Sequence, residues 1–280
     1  GFFVTADGYI VTNYHVIEDS TEITVSTYDG SSYEASVRGY EEANDIAVLK
    51  IEGTFRPAPI GASAALSVGD DILVIGNPLG NLSYTFTDGV VSYLNRMITG
   101  DTGTTINMFQ TNAAINEGNS GGPVYNMRGE VVGIASAKYA SSSIEGLGFC
   151  IPIDDVIGMI RDIINTGYVT GKPVLGVSVQ TVTSAMAVRY GIVEGCYIVE
   201  VGAGTAADAA GLLAADVITA VGDTPVYSVS DISVALMGHS AGDTVNVRVR
   251  RSGTDLIFAV TLDEYTPGEA RTSYSNVYDF

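Results

Sequence analysis

The sequence predicts a mainly β protein in two parts: a β-barrel region, then a small α+β domain. Three observations carry this. Residues 2–152 hold about a dozen short runs rich in Val, Ile, Thr and Tyr, separated by turn signals, the pattern of barrels and sandwiches. Glycine is abundant, at 33 of 280 residues, which supplies the turns that short strands need. Beyond residues 167–173 the pattern changes to strands alternating with short helical stretches.

The first part opens with a hairpin over residues 2–12, turning at Ala6-Asp7-Gly8. His15 follows just past the strand end. Strands are expected at 22–28 and 32–40. Asp45 then opens the apolar run Ile46-Ala47-Val48-Leu49, typical of a buried strand. Residues 54–71 read as loop, and 71–75 as a strand running into Gly76-Asn77-Pro78-Leu79-Gly80. Two strands are expected over 82–95, broken near Asp88-Gly89, then one at 106–111. A hairpin spans 124–137, and after a Ser-rich tip at 141–143 a last strand leads to Pro152. Residues 154–166 show helical spacing, with Asp154 read as the cap.

The boundaries read as 1–166 for the first domain, 167–173 for a linker, 174–263 for the second domain and 264–280 for a flexible tail. In the second domain, strands are expected at 174–180, 196–201 and 217–221, helices at 184–190, 206–210 and 230–239. A closing hairpin at 245–261 turns on Ser252-Gly253.

Composition narrows the function. Only 16% of residues are charged while 46% are hydrophobic, a packed globular composition. Asp and Glu number 32 against 13 Lys and Arg, net −19, with no basic patch, so nucleic-acid partners are not expected. Cys150 and Cys196 sit in apolar runs in different domains and read as buried free thiols. No Cys/His cluster has metal-ligand spacing, so neither metal nor cofactor is expected. No apolar run reaches membrane-spanning length.

The chemistry concentrates in Asn116-Glu117-Gly118-Asn119-Ser120-Gly121-Gly122-Pro123. A serine among glycines suits a nucleophile on a tight turn, where consecutive N–H groups can converge on one oxyanion. A serine hydroxyl needs a base, and the base needs an orienting group. Of the two histidines, His239 stands at a helix end in the second domain; His15 is the base available in the first. The order His15, Asp45, Ser120 follows the logic of a serine-protease triad.

These segments resemble the HtrA/Deg proteases, a chymotrypsin-like serine protease followed by a PDZ domain. The resemblance rests on residues 7–16, 44–50, 76–80, 116–123 and 146–152, and covers residues 1–263. It implies a mainly β fold, a chymotrypsin-like double β-barrel followed by a small α+β PDZ domain, with the active site between the barrels. It implies His15, Asp45 and Ser120 as catalytic residues, and Gly118, Asn119 and Ser120 as the oxyanion turn. Leu147, Phe149 and Ile151 are expected to line the substrate pocket and to favour small or medium aliphatic residues. Leu175, Gly176 and Val177 match the loop that receives a peptide's terminal carboxylate, with Ile232 and Leu236 lining its side-chain pocket. Asn112 departs from the family, which usually has aspartate there, but keeps hydrogen-bonding capacity. Glu117 places a carboxylate beside the oxyanion turn.

The implied activity is ATP-independent endoproteolysis of unfolded or misfolded proteins, with C-terminal peptides bound at the PDZ groove. Homo-oligomers, specifically trimers, are implied for the full-length protein. So is a location at the cell envelope or extracellular face, with membrane anchoring through a segment outside this chain. A competing reading is a non-catalytic holdase or peptide receptor on a protease scaffold. The tail ends Val277-Tyr278-Asp279-Phe280, an aromatic beside a free carboxylate, which is the ligand type such a groove accepts.

Overall fold

The computed structural model describes residues 1–77, 84–99, 105–139 and 146–266. They form two units, Gly1–Val169 and Thr170–Phe280, each with its own hydrophobic core. Pro78, Leu79 and Gly80 of the glycine-asparagine motif, the Ser-rich tip and residues 267–280 lie outside the described residues.

The first half of unit 1 is a four-stranded antiparallel sheet ordered β1 (Phe2–Phe3), β2 (Tyr9–Thr12), β6 (Ile46–Lys50), β5 (Ser36–Glu41). A two-stranded ribbon, β3 (Thr24–Ser26) with β4 (Ser32–Glu34), joins it. Val25 and Tyr33 of the ribbon cover the same core as Ile10, Leu49 and Ile51 of the sheet.

The second half closes into a six-stranded barrel. Its strands are β7 (Asp71–Gly76), β8 (Thr85–Thr99), β9 (Thr105–Thr111), β10 (Pro123–Asn126), β11 (Val131–Ser136) and β12 (Gly148–Pro152). Closure removes the sheet edges. Ile72, Val74, Phe109 and Val124 fill one core, and Val11, Val48, Met108 and Ile134 fill another shared with helix α1 (Ile153–Thr166).

Two expectations are corrected here. Residues 85–99 form one strand rather than two. Gly89 does not break it: a Cβ there would stand 2.4 Å from the Ala113 nitrogen, so the glycine serves close backbone approach. The irregularity falls instead near Asn95, whose φ is +54°. Asp154 is not the cap of α1; Pro152 takes that position, and Asp154 lies in the first turn. Its backbone N–H donates to Ser63 Oγ (3.1 Å) and its carboxylate accepts the Ala64 N–H (2.7 Å), which ties the helix start to the loop before β7.

Unit 2 is built on a sheet ordered β14 (Val177–Val182), β15 (Gly195–Val201), β16 (Val217–Val221), β18 (Thr244–Arg251), β19 (Thr254–Thr261), with β17 (Thr224–Pro225) beside β16. Helices α2 (Ser184–Tyr190), α3 (Ala206–Ala210) and α4 (Val229–Leu236) complete it. Helix α4 stops short of His239 because Met237 is extended and Gly238 has φ +87°. The small pair β13 (Pro173–Val174) and β20 (Asp263–Glu264) was not foreseen. It orders Lys172, whose carbonyl accepts the Tyr265 N–H, so both linker end and tail start belong to the fold. Among the described residues no helix is long and apolar enough to cross a membrane.

Both cysteines are free and buried. Burial pushes the Cys150 thiol up, and burial with the Asp231 carboxylate pushes Cys196 up to about 12. Since the thiolate is the reactive form, neither should be alkylated by iodoacetamide in the native protein at mildly alkaline pH, and both should react after unfolding in urea. Mass spectrometry of the treated protein checks this; modification of either thiol in the folded state contradicts it.

Candidate active site

His15 lies in a 3-10 turn, residues 14–16, directly after β2. Asp45 ends a second such turn, residues 42–44, directly before β6. Because β2 and β6 pair antiparallel with Thr12 opposite Ala47, the two turns come out on the same side of the sheet. Asp45 has φ +54°, a left-handed conformation that aspartate tolerates better than most residues.

Asp45 is 1% exposed, and a buried carboxylate needs donors. It has three. His15 Nδ1 stands 2.9 Å from Oδ1 and 2.8 Å from Oδ2, the His15 backbone N–H donates to Oδ1 at 3.0 Å, and Ser136 Oγ donates to Oδ2 at 3.3 Å. Asn13 Nδ2 holds the Asp45 carbonyl at 2.8 Å. Facing a carboxylate, Nδ1 must carry the proton, which leaves Nε2 as the free base. Tyr139 packs nearby, its phenol pushed up to about 12 by burial and by the Asp45 carboxylate.

Ser120 arrives from the barrel. The Asn119 N–H donates to Asn116 O (3.0 Å), the Gly122 N–H to Asn119 O (2.9 Å), and the Asn77 N–H to Gly118 O (2.9 Å). These bonds fix the turn, with Gly118 at φ +94° and Gly121 at φ +76°. They leave the N–H groups of Gly118 and Ser120 without a protein acceptor among the described residues. The Asn119 N–H is occupied, so of the three residues expected to form the oxyanion turn Asn119 has no free backbone donor to offer. At Gly121 a Cβ would stand 2.1 Å from Thr12 Oγ1, so the sheet and the barrel meet directly behind the serine. Ser120 Oγ accepts the Ala137 N–H at 3.0 Å, and no hydrogen bond joins it to His15.

Ser136, Ala137, Asn13 and Thr12 were not singled out in the sequence. Ser136 ends β11 and Ala137 opens the 3-10 turn after it; Ser136 stands 91 residues from Asp45 in the chain, so only barrel closure brings the two segments together. Asn112, at the family's usual aspartate position, accepts the Val90 N–H through Oδ1 at 2.7 Å.

The pocket expectation needs correction. Phe149 is 6% and Ile151 1% exposed; alternation puts both on the face of β12 that packs with Ile134 and Ile160, and Cys150 on the other face is buried in a second core, so both faces of the strand are covered. Leu147, just before the strand, is half-buried. Gly148 closes on the serine side, where a Cβ would meet Ile115 Cγ1 at 2.6 Å.

Gly76 is equally constrained. A Cβ there would stand 2.0 Å from Asn119 Oδ1 and 2.8 Å from Asn119 Cα, forcing the serine turn to shift. Gly76→Ala should therefore lower kcat at least a hundredfold while the protein stays folded, since misplacement by about 1 Å costs that much. Steady-state kinetics beside a thermal melt checks this; wild-type kcat would show that the turn absorbs the shift.

In unit 2, the carbonyl of Leu175 accepts the Ala207 N–H, and that of Gly176 accepts the Gly202 N–H and Thr205 Oγ. Gly176 has φ +80°, and Val177 starts edge strand β14. The Val229 N–H at the start of α4 donates to Thr181 Oγ1, which ties that helix to the same strand. Ile232 and Leu236, expected to line a peptide pocket, are both buried in the core with Leu175 and Val177. His239 faces Asp243 within this unit, its Nδ1 3.7 Å from Oδ2.

Comparison with known proteins agrees with this geometry. Residues 1–134 match the trypsin-like peptidase domain family and residues 173–262 the PDZ domain family. The serine protease Do-like HtrA of Lactococcus lactis subsp. cremoris is 38% identical over 280 residues, spanning 93% of this chain and 68% of that protein. This chain belongs to the HtrA family of serine proteases. A second HtrA relative, the probable periplasmic serine endoprotease DegP-like of Bartonella henselae, is 37% identical over 99% of this chain and 56% of its own length. The solved structure of the HtrA-type protease AlgW with a decapeptide superposes with a TM-score of 0.65 at 31% identity, covering 95% of this chain and 82% of that one. The HtrA chain described here is thus a mainly β serine endopeptidase with a PDZ domain.

Proposed function

We propose that this HtrA chain cleaves unfolded or misfolded polypeptides, without ATP, at the cell envelope or extracellular face. The observation that carries the reading is the buried Asp45 carboxylate holding His15 Nδ1 at 2.8 Å beside a glycine-bounded serine turn. Ser120 Oγ attacks the substrate carbonyl carbon and passes its proton to His15 Nε2. Asp45 stabilises the resulting imidazolium, and the Gly118 and Ser120 N–H groups receive the oxyanion. His15 then protonates the leaving amine, and water hydrolyses the acyl-enzyme by the same steps. This requires Ser120 to leave the Ala137 N–H and turn to His15, a tightening common on substrate binding. Leu147 and Ile115 would border the recess for the residue before the cut and favour aliphatic side chains.

In the PDZ domain, the Leu175 and Gly176 N–H groups would hold a peptide's terminal carboxylate while the peptide adds to β14. Leu236, at the margin of the core, would touch its last side chain, with Ile232 beneath as packing. Domain limits at 1–166 and 174–263, trimeric assembly and membrane anchoring belong to the same reading.

The test is casein cleavage without nucleotide, followed by fluorescence titration with a labelled peptide ending in an aromatic residue. Cleavage of unfolded but not folded substrate, with saturable peptide binding, is expected. Inert behaviour toward casein with intact peptide binding would favour the receptor reading instead.

A further inference from the structure

Among the described residues of unit 1, five aromatic side chains stand in the open: Tyr40, Tyr93, Tyr28, Tyr84 and Phe86. Tyr28 is 85%, Tyr84 45% and Phe86 56% exposed. Tyr28 lies in the turn of the β3–β4 ribbon, and its ring meets that of Tyr84 edge-on at 5.1 Å. Tyr84 Oη donates to the Ser26 carbonyl at 3.4 Å, so the ribbon and the start of β8 hold one another. The Tyr84 backbone has φ +62°, a position costly for a bulky residue. Clustered exposed aromatics mark contact surfaces more often than chance.

This ledge joins the active site through one residue. The β7–β8 register sets Gly76 opposite Thr85 and Ile75 opposite Phe86, so Tyr84 and Asn77 each lie one residue beyond the last pair of the ladder. The Asn77 N–H is bonded to the Gly118 carbonyl in the oxyanion turn. Ser120 is flanked by two segments: Ala137, whose N–H it accepts, and the Gly118–Asn77 contact. With the scissile carbonyl at the oxyanion turn, a substrate whose acyl half follows Ala137 sends its leaving half past Gly118 and Asn77, toward Tyr84.

We propose that Tyr28, Tyr84 and Phe86 form a subsite for apolar, preferentially aromatic, side chains two to four residues downstream of the cut. Extended chain advances about 3.3 Å per residue, which puts those residues roughly 7–13 Å beyond the scissile bond. The occupant follows from the site: the substrate chain is continuous with the cleft, and an unfolded substrate exposes the aromatic residues that a folded one buries. The subsite rests on the protease reading.

The test uses two quenched fluorescent peptides with one sequence up to the cut, carrying either Phe or Ser at the second to fourth downstream positions. A p-nitroanilide with the same acyl half and no downstream residues is the control. The wild type should prefer the Phe peptide by about tenfold in kcat/KM, the scale of partly burying an aromatic side chain. Tyr28→Ser with Phe86→Thr should erase that preference and leave anilide hydrolysis and melting temperature unchanged. A preference retained in the variant, or none in the wild type, overturns the subsite. A variant that instead changes sedimentation assigns the ledge to a second copy and overturns it too. Failure of the wild type to hydrolyse even the anilide sinks the protease reading, and the subsite with it.

Discussion

Ser120→Ala and His15→Ala should each lower turnover of unfolded casein by about six orders of magnitude, because nucleophile and base act as one unit. Removing either leaves the oxyanion turn and binding surfaces in place, so a small residual rate should survive. Asp45→Ala should cost less, about four orders of magnitude, since Nε2 survives while its orientation does not. The double variant Ser120→Ala/His15→Ala should be no slower than either single one. Additive losses would mean that the two residues act separately, and near-wild-type turnover in any single variant would remove that residue from the triad. The folds should persist, because Ser120 and His15 bury little surface.

Arg251→Ala should destabilise unit 2 by about 3–5 kcal/mol, the cost of leaving a buried charge unpaired. Asp216 is 1% exposed and meets the guanidinium at 2.6 Å and 2.7 Å through two separate oxygens. The same Arg251 also donates to the Gly211 carbonyl at 2.8 Å, closing the turn after α3. Such a loss is a large share of the roughly 5–15 kcal/mol that holds a domain folded. Replacing both partners, Arg251→Met with Asp216→Asn, should recover much of it, since the uncompensated charge is gone. Urea denaturation of the three proteins decides; a single variant within about 1 kcal/mol of wild type would show the pair to be solvated rather than structural.

How much of this was legible depends on distance along the chain. His15 and Asp45 could be placed because each adjoins a strand whose apolar run is unmistakable, and the serine turn announces itself by its glycines. Gly89 was misread as a break because a sequence cannot say whether a glycine permits a turn or a close neighbour; here Ala113 decides. Phe149 and Ile151 were expected as pocket walls because alternation tells which residues share a face but not that both faces of β12 are covered by core. Ser136 and Ala137 escaped notice because their roles arise only when β11 closes the barrel against the sheet that carries Asp45. Asp154 looked like a cap by position, yet the helix begins one residue earlier and uses its carboxylate to hold Ala64.

The measurement that tests the central claim most directly is labelling of the native protein by a fluorophosphonate, with the adduct located by mass spectrometry. A single phosphonyl group on Ser120, absent from Ser120→Ala and strongly slowed in His15→Ala, is the expected result. No adduct on Ser120, with or without a bound C-terminal peptide, would contradict a working nucleophile at this turn.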